Sequence, residues 1–254
     1  MNLHGKVAVI TGASGGIGSA TARRLADAGC HVVVGYNSRA AEAEKVVADL
    51  SGSGHRAARM PMEDTAALRE VAAMVKREYG RCDVLVNSAG FTRMIPHADL
   101  EALTDELIDA IFVANVRGPF ATIRAFVPLM QRSDDAVIVN ISSGAAISGG
   151  GRNIAYGGSK AAIDAMTKSL ARVLGPNIRV LSVSPGAVDT GFVPGRTTDM
   201  VERAAQRTPL KRVVQADEVA QTVMAAVTLM TATTGSILLV EGELPGRLVR
   251  GQQA

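Results

Sequence analysis

The sequence predicts an α/β protein: one doubly wound parallel sheet of about seven strands, with helices on both faces. Three observations carry this. Short apolar runs rich in β-branched residues recur along the chain, longer amphipathic stretches separate them, and Gly, Asp or Pro flank the runs. The runs are apolar at nearly every position, not at alternate ones. That is the pattern of strands covered on both faces, as in a parallel sheet.

The elements follow in order. A first strand is read at Lys6–Ile10, and the turn Thr11-Gly12-Ala13-Ser14-Gly15-Gly16-Ile17-Gly18 leads into a helix over Gly16–Ala28. A second strand begins at His31-Val32-Val33-Val34 and passes through Tyr36, Asn37, Ser38 and Arg39 into a helix over Ala40–Leu50. A weaker strand, Arg56–Met62, precedes a helix over Thr65–Tyr79. Asp83–Asn87 is the fourth strand, and a long helical pattern follows at Thr104–Met130. Ala136–Ile141 and Ile178–Val183 are strands separated by a helix over Ile154–Leu174. A helix over Ala216–Met230 and a strand over Ser236–Val240 complete the set. No linker, repeat or low-complexity segment interrupts the alternation, so a single domain over 1–254 is expected, with a substrate lid at about 187–209.

Composition excludes several classes. Of 254 residues, 47% are hydrophobic and 20% charged, which is globular and not disordered. The net charge of +3 is small, no long Lys/Arg run occurs, and aromatics are only 3% with no Trp, so nucleic-acid binding is not expected. Two cysteines, Cys30 and Cys82, make neither a disulfide framework nor a metal cluster. The chain opens directly on a strand, and apolar stretches are interrupted before the ~18 residues a bilayer needs. A cytoplasmic protein without a membrane partner is the expectation.

The glycine turn carries the first chemistry. Glycines after a parallel strand let the backbone approach a pyrophosphate, and the helix that follows offers free N–H groups and a partial positive charge. Its spacing, Gly12-x-x-x-Gly16-x-Gly18, differs from the G-x-G-x-x-G dinucleotide fingerprint. It resembles the turn of the short-chain dehydrogenase/reductase family, TGxxxGxG. The resemblance continues through Asn87-Ser88-Ala89-Gly90, Asn115, Ser143, the Tyr156-x-x-x-Lys160 pair and Ser184-Pro185-Gly186, with Thr190 shortly after. Within that family it resembles carbonyl reductases of the 3-oxoacyl reductase type.

A Tyr/Lys pair four apart shares a helix face and is by itself a common surface contact. Ser143, at the end of a parallel strand, changes that reading, because open α/β sheets bind ligands at strand C-termini. Carbonyl reduction needs a hydride on carbon and a proton on oxygen. Tyr156 is expected to give the proton, Lys160 to lower the Tyr156 pKa, and Ser143 to orient the substrate oxygen and stabilise its charge. Ser142 is expected to point the other way along the pleat. The resemblance further implies that Lys160 bonds the nicotinamide ribose and that Asn115 holds a water relay. It implies a cofactor site formed by Gly12, Ser14, Gly16, Ile17, Gly18, Tyr36, Asn37, Ser38, Arg39, Asn87, Ala89, Gly90, Tyr156, Lys160, Pro185, Gly186, Val188 and Thr190, the last two at the carboxamide. No metal is expected.

NAD-preferring relatives place an acid at the end of strand two. Here no acid stands between Asp27 and Glu42, while Asn37, Ser38 and Arg39 can donate to a 2′-phosphate. NADP(H) is therefore the expected cofactor, with NAD(H) possible. Gly15, however, stands where many NADP-using relatives are basic. Three readings are carried: an NADP(H)-dependent ketone reductase, an NAD(H)-dependent alcohol or polyol dehydrogenase, and a non-catalytic dinucleotide sensor. The third would be expected to have lost part of the Asn115, Ser143, Tyr156 and Lys160 set.

Other positions depart from the family pattern. Pro61 takes the place of an Asp that meets adenine, and Glu241-Gly242-Glu243 replaces Asp-Gly-Gly. Asp134-Asp135 and Gly175-Pro176-Asn177 stand where carrier-protein reductases are often basic, so an acyl carrier protein partner is doubted. Substrate lining is expected from 91–99 and 145–153, where Arg93, His97 and Arg152 fall, and from the lid, which holds Arg196. The two long helices carry extra apolar positions, as in relatives that form dimers and tetramers, so a homotetramer is expected.

Overall fold

In the computed structural model the strands are β1 (Val7–Thr11), β2 (His31–Tyr36), β3 (Arg56–Arg59), β4 (Val84–Asn87), β5 (Ala136–Ile141), β6 (Ile178–Pro185) and β7 (Ile237–Val240). Residues 1–188, 190 and 198–241 are described. The strands form one sheet in the order β3-β2-β1-β4-β5-β6-β7, and all its pairings are parallel. The order reverses between β1 and β4, the switch point where ligands bind in sheets of this kind. This is the Rossmann-type architecture expected from the sequence.

Alternation along each strand feeds two cores. In β1, Ala8 and Ile10 pack with Val32, Val34, Val84, Val86 and helix α1 (Gly16–Asp27) on one face. Val7 and Val9 pack on the other with Phe126, Leu129 and Met130 of α5 (Gly118–Met130) and with α3 (Thr65–Tyr79). Helices α2 (Ala40–Ala48) and α9 (Ala216–Thr228) join the first face, and α7 (Ile154–Leu174) covers part of the second. Helix ends are set by their own residues. Asp64 accepts from the N–H groups of Ala66 and Ala67 to start α3, and Gly80, at φ +73°, ends it in the left-handed region.

Four elements differ from the sequence reading. The third strand stops at Arg59, short of Met62, because Met60 and Met62 turn into the core and Pro61 has no N–H for a ladder. The long helix is continuous from α4 (Asp105–Phe112) to α5 but passes through a π turn, Val113–Arg117. Two helices were not anticipated: the short α6 (Ala145–Ser148) and α8 (Thr198–Arg207), which falls inside the expected lid. By length and hydropathy alone, residues 105–130 could cross a membrane, but they pack on α3 and α7 as a core helix of the sheet.

Below the sheet, at the end away from the switch point, Asp83 is fully buried. It accepts from Arg81 at 2.6 and 2.7 Å, from Ser133 Oγ at 2.8 Å and from the Val7 N–H at 3.0 Å. Burial pushes its carboxyl up, yet Arg81, the Val7 N–H and Ser133 together hold it below the ordinary carboxylate value. Asp83→Ala is expected to cost about 2–3 kcal/mol, on the low side for a broken buried pair because Arg81 is partly hydrated. A depressed acid stabilises the fold above its unfolded pKa and loses that contribution as pH falls through the folded value. Denaturant titrations of both chains at neutral pH and near pH 3 check this: the difference should shrink in acid.

Candidate active site

The β1–α1 turn is shaped by what its glycines approach. Gly12 has φ +66°, and a Cβ there would come within 2.7 Å of the Ala89 backbone. A Cβ at Gly18 would meet the Gly12 carbonyl at 2.5 Å, so α1 can start this close to the turn only with glycine. No side chain caps α1 and no acid stands in its first turn, which leaves its N-terminus suited to an anion. Ser14 lies buried within the turn, and Ile17 packs toward the core. Thr190 faces Gly16 across the turn, its methyl 3.5 Å from where a Cβ would be. The turn, with a backbone cradle and an uncapped helix end, fits a dinucleotide pyrophosphate.

The neighbouring strand ends close round it. Thr11 Oγ1 accepts from the N–H groups of Ser88 and Ala89, locking the Asn87–Gly90 segment beside the turn. Asn87 Nδ2 donates to Asn140 Oδ1 at 2.9 Å, tying β4 to β5. Asn87 Oδ1 and Ser184 Oγ, at the ends of β4 and β6, are buried without hydrogen-bond partners. Gly186 follows Pro185 and donates to the Val240 carbonyl. Val188 bridges to Val214, which steadies the start of the segment after β6. At the end of β2, Tyr36 is half-buried and Asn37, Ser38 and Arg39 are exposed. The Arg39 guanidinium comes over Gly15, 3.7 Å from its would-be Cβ. A cation thus reaches, from the residue that precedes α2, the place where the turn itself lacks a basic side chain.

Ser143, Tyr156 and Lys160 meet where β5 and α7 face each other. Asn153 caps α7 by accepting from the Tyr156 N–H at 2.7 Å, which fixes the turn that carries Tyr156. Its Nδ2 donates to the Arg93 carbonyl at 2.8 Å and to Thr92 Oγ1, fastening the 91–95 loop to the same point. Ser142 Oγ donates to the Lys160 carbonyl at 3.2 Å, so it pins α7. Ser143 Oγ accepts from the Ala145 N–H and is hydrogen-bonded to the Tyr156 side chain.

Burial holds the Tyr156 phenol above its ordinary pKa, while Ser143 and the positive charge of Arg152 pull it back. The sequence reading expected lowering by Lys160; here burial raises the phenol, and the groups that pull it back are Ser143 and Arg152. Lys160 Nζ donates to the Ile141 carbonyl at 2.8 Å and lies 5.8 Å from the Tyr156 ring centroid. Burial pushes Lys160 down to about 8, and the Asp164 carboxylate acts in the opposite direction.

Asn115 sits in the π turn, where the extra residue swings its side chain inward. It accepts from the Phe91 N–H at 2.7 Å and donates to the Phe91 carbonyl and to Ser159 Oγ, both at 3.0 Å. Ser159 in turn donates to the Tyr156 carbonyl. Asn115 therefore braces α7 and the 91–95 loop through Ser159 and Phe91. Sequence reasoning placed Asn153 only at the end of the expected 145–153 lining and passed over Ser159; the roles of both are contacts made across the chain. It noted Glu241 only as a departure; its carboxylate lies against Gly144, next to Ser143, and its stem against Gly186. Of the expected substrate-lining cations, Arg93 and His97 are exposed, Arg152 is half-buried near Tyr156, and Arg196 lies outside the described residues.

A phosphate-suited turn at the switch point, next to a paired Tyr and Ser with a buried Lys, defines a nicotinamide-dependent oxidoreductase acting between CH–OH and C=O. The family model described as enoyl-(acyl carrier protein) reductase matches residues 12–242. The chain belongs to the short-chain dehydrogenase/reductase family. It is 36% identical over 248 residues to a 3-oxoacyl-(acyl-carrier-protein) reductase of Thermotoga maritima, covering 96% of this chain and 99% of that one. A short-chain dehydrogenase of Burkholderia cenocepacia in complex with NADP superposes with a TM-score of 0.87 at 33% identity, covering 96% and 99% of the two chains. A 3-ketoacyl-(acyl-carrier-protein) reductase of Brucella melitensis complexed with NADH gives 0.86 at 30%, covering 94% and 98%.

Proposed function

We propose that the protein is an NADP(H)-dependent carbonyl reductase acting on a small-molecule ketone. The observation that carries this is the convergence of Ser143 and Tyr156, hydrogen-bonded to each other, with buried Lys160 beside them. The nicotinamide, when bound, supplies or takes the hydride. Ser143 donates to the substrate oxygen and holds it toward Tyr156. Tyr156, kept as a phenol by burial, gives its proton to that oxygen as negative charge develops there. Lys160 is the ammonium that stabilises the phenolate left behind. Asn115 and Asn153 hold the helix and loop that place these groups.

Following absorbance at 340 nm over a panel of ketones with NADPH tests the reading. Turnover of at least one ketone is expected; binding of NADPH with no turnover on any carbonyl or alcohol would leave the sensor reading instead. The relatives include carrier-protein reductases, but the acidic Asp134-Asp135 pair argues against an acidic carrier as partner. A carrier-bound substrate favoured strongly over its small thioester would reverse that part.

We also propose a homotetramer. Phe112 and Phe120, on the α4–α5 helix, are 38% and 42% exposed, and α7 exposes Ile154 and Val173. Such apolar side chains on two long neighbouring helices suit burial in a two-fold interface. Light scattering at micromolar concentration should give about four times the 26.4 kDa chain mass, and a stable monomer would refute it.

A further inference from the structure

Lys160 and Asp164 stand one turn apart on α7, so their side chains share a face. Both are buried, at 5% and 6% exposure. The helix runs antiparallel to the strands it covers. Lys160 therefore lies level with the C-terminal end of β5, where it donates to Ile141, and Asp164 lies one turn deeper. There Ser182 of β6 donates its hydroxyl to Asp164 Oδ1 at 2.8 Å. A carboxylate taken out of water is costly, and packing alone at this position would be served better by an apolar residue. Its neighbour along the helix is a buried ammonium that needs a counter-charge.

We infer that Asp164, fixed by Ser182, is a positioning residue that supplies this counter-charge and keeps Lys160 protonated at working pH. The inference rests on the role given to Lys160 above. Desolvation alone favours the neutral amine, and the nearby negative charge opposes it.

The other charged groups around the pair do not take this role. On and before α7 stand Arg152, Tyr156, Lys168 and Arg172, none of which supplies negative charge at neutral pH. Strand β5 and helix α6 carry no titratable side chain. The charged residue of β6, Arg179, is at its far end, bonded to Asp135. On α4, Asp105, Glu106 and Asp109 are exposed, and Arg117 of the π turn donates to the Glu63 carbonyl. Glu241 lies against Gly144 and Gly186. Among the described residues, Asp164 is the acid whose charge bears on Lys160.

Asp164→Asn removes the charge and keeps an oxygen for Ser182 to bond. It should move the alkaline limb of the kcat/KM profile for ketone reduction about one pH unit lower. The pH profile of NADPH binding, followed by cofactor fluorescence, should shift the same way. Asp164→Glu should restore the limb, and Ser182→Ala, which keeps the charge, should leave it near the wild-type position. If Asn proves too destabilising, Asp164→Leu removes the charge with an apolar side chain that can pack. Wild-type limbs in both profiles of a folded charge-removing variant would overturn the inference. The NADPH-binding profile of Lys160→Ala separates the two claims. If its limb persists, the role of Lys160 is wrong. If it vanishes while Asp164→Asn leaves the limb in place, only the role of Asp164 falls.

Discussion

Tyr156→Phe is expected to lower kcat for ketone reduction by about 10²–10⁴-fold, the usual worth of a positioned proton donor. The substitution removes one oxygen and keeps the ring. The Tyr156 N–H still bonds Asn153, its carbonyl still accepts from Ser159, and the cap of α7 is intact. Fold and NADPH affinity should therefore change little. Lost stability or lost binding would point to a structural role for the hydroxyl. A variant that turned over a good ketone at near wild-type rate, assayed at 340 nm, would remove Tyr156 from the proton path. Ser143→Ala is the companion measurement, since Ser143 bonds the same phenol and is proposed to hold the substrate oxygen.

The sequence made the sheet legible because a strand covered on both faces must be apolar throughout, as in Val84–Val86 or Val137–Val139. It failed where one local rule competed with another. Met60 and Met62 look like strand residues, but Pro61 between them ends the ladder and both side chains go to the core. The π turn at Val113–Arg117 left no mark in the apolar period, because a single extra residue shifts the register only locally. The site was legible where a motif carries it, as in the glycine turn and the Tyr156/Lys160 pair. The residues that hold the site were not. Asn153 is an ordinary cap until its other amide group reaches Arg93, and Ser159 is an ordinary helix serine until Asn115 meets it. Asp164 belongs to no motif in the sequence, and only the position of β6 shows that it is buried. Such roles come from contacts between distant parts of the chain.

The wild-type enzyme is expected to use NADPH with a kcat/KM about tenfold or more above that for NADH. Two features support this. The stretch from Ala28 to Ala41 contains no acid to accept from the ribose hydroxyls or repel a 2′-phosphate. The Arg39 guanidinium stands over Gly15, 3.7 Å from its would-be Cβ and so beside the glycine turn proposed to hold the dinucleotide. A charge-assisted contact is worth roughly 1.5–3 kcal/mol, and ~1.4 kcal/mol is one decade of affinity. Arg39 is exposed, so the low end of that range applies. Arg39→Ser should therefore cost about tenfold with NADPH and little with NADH. Tyr36→Asp adds an acceptor for the hydroxyls and a repulsion for the phosphate, and combining the two should invert the preference. The salt dependence provides an internal control: the NADPH advantage should shrink as ionic strength rises, because an exposed phosphate contact is screened. A wild-type enzyme that favoured NADH would show that the cation over Gly15 is a solvated helix-start residue, and that the missing acid is a poor guide to cofactor choice in this chain.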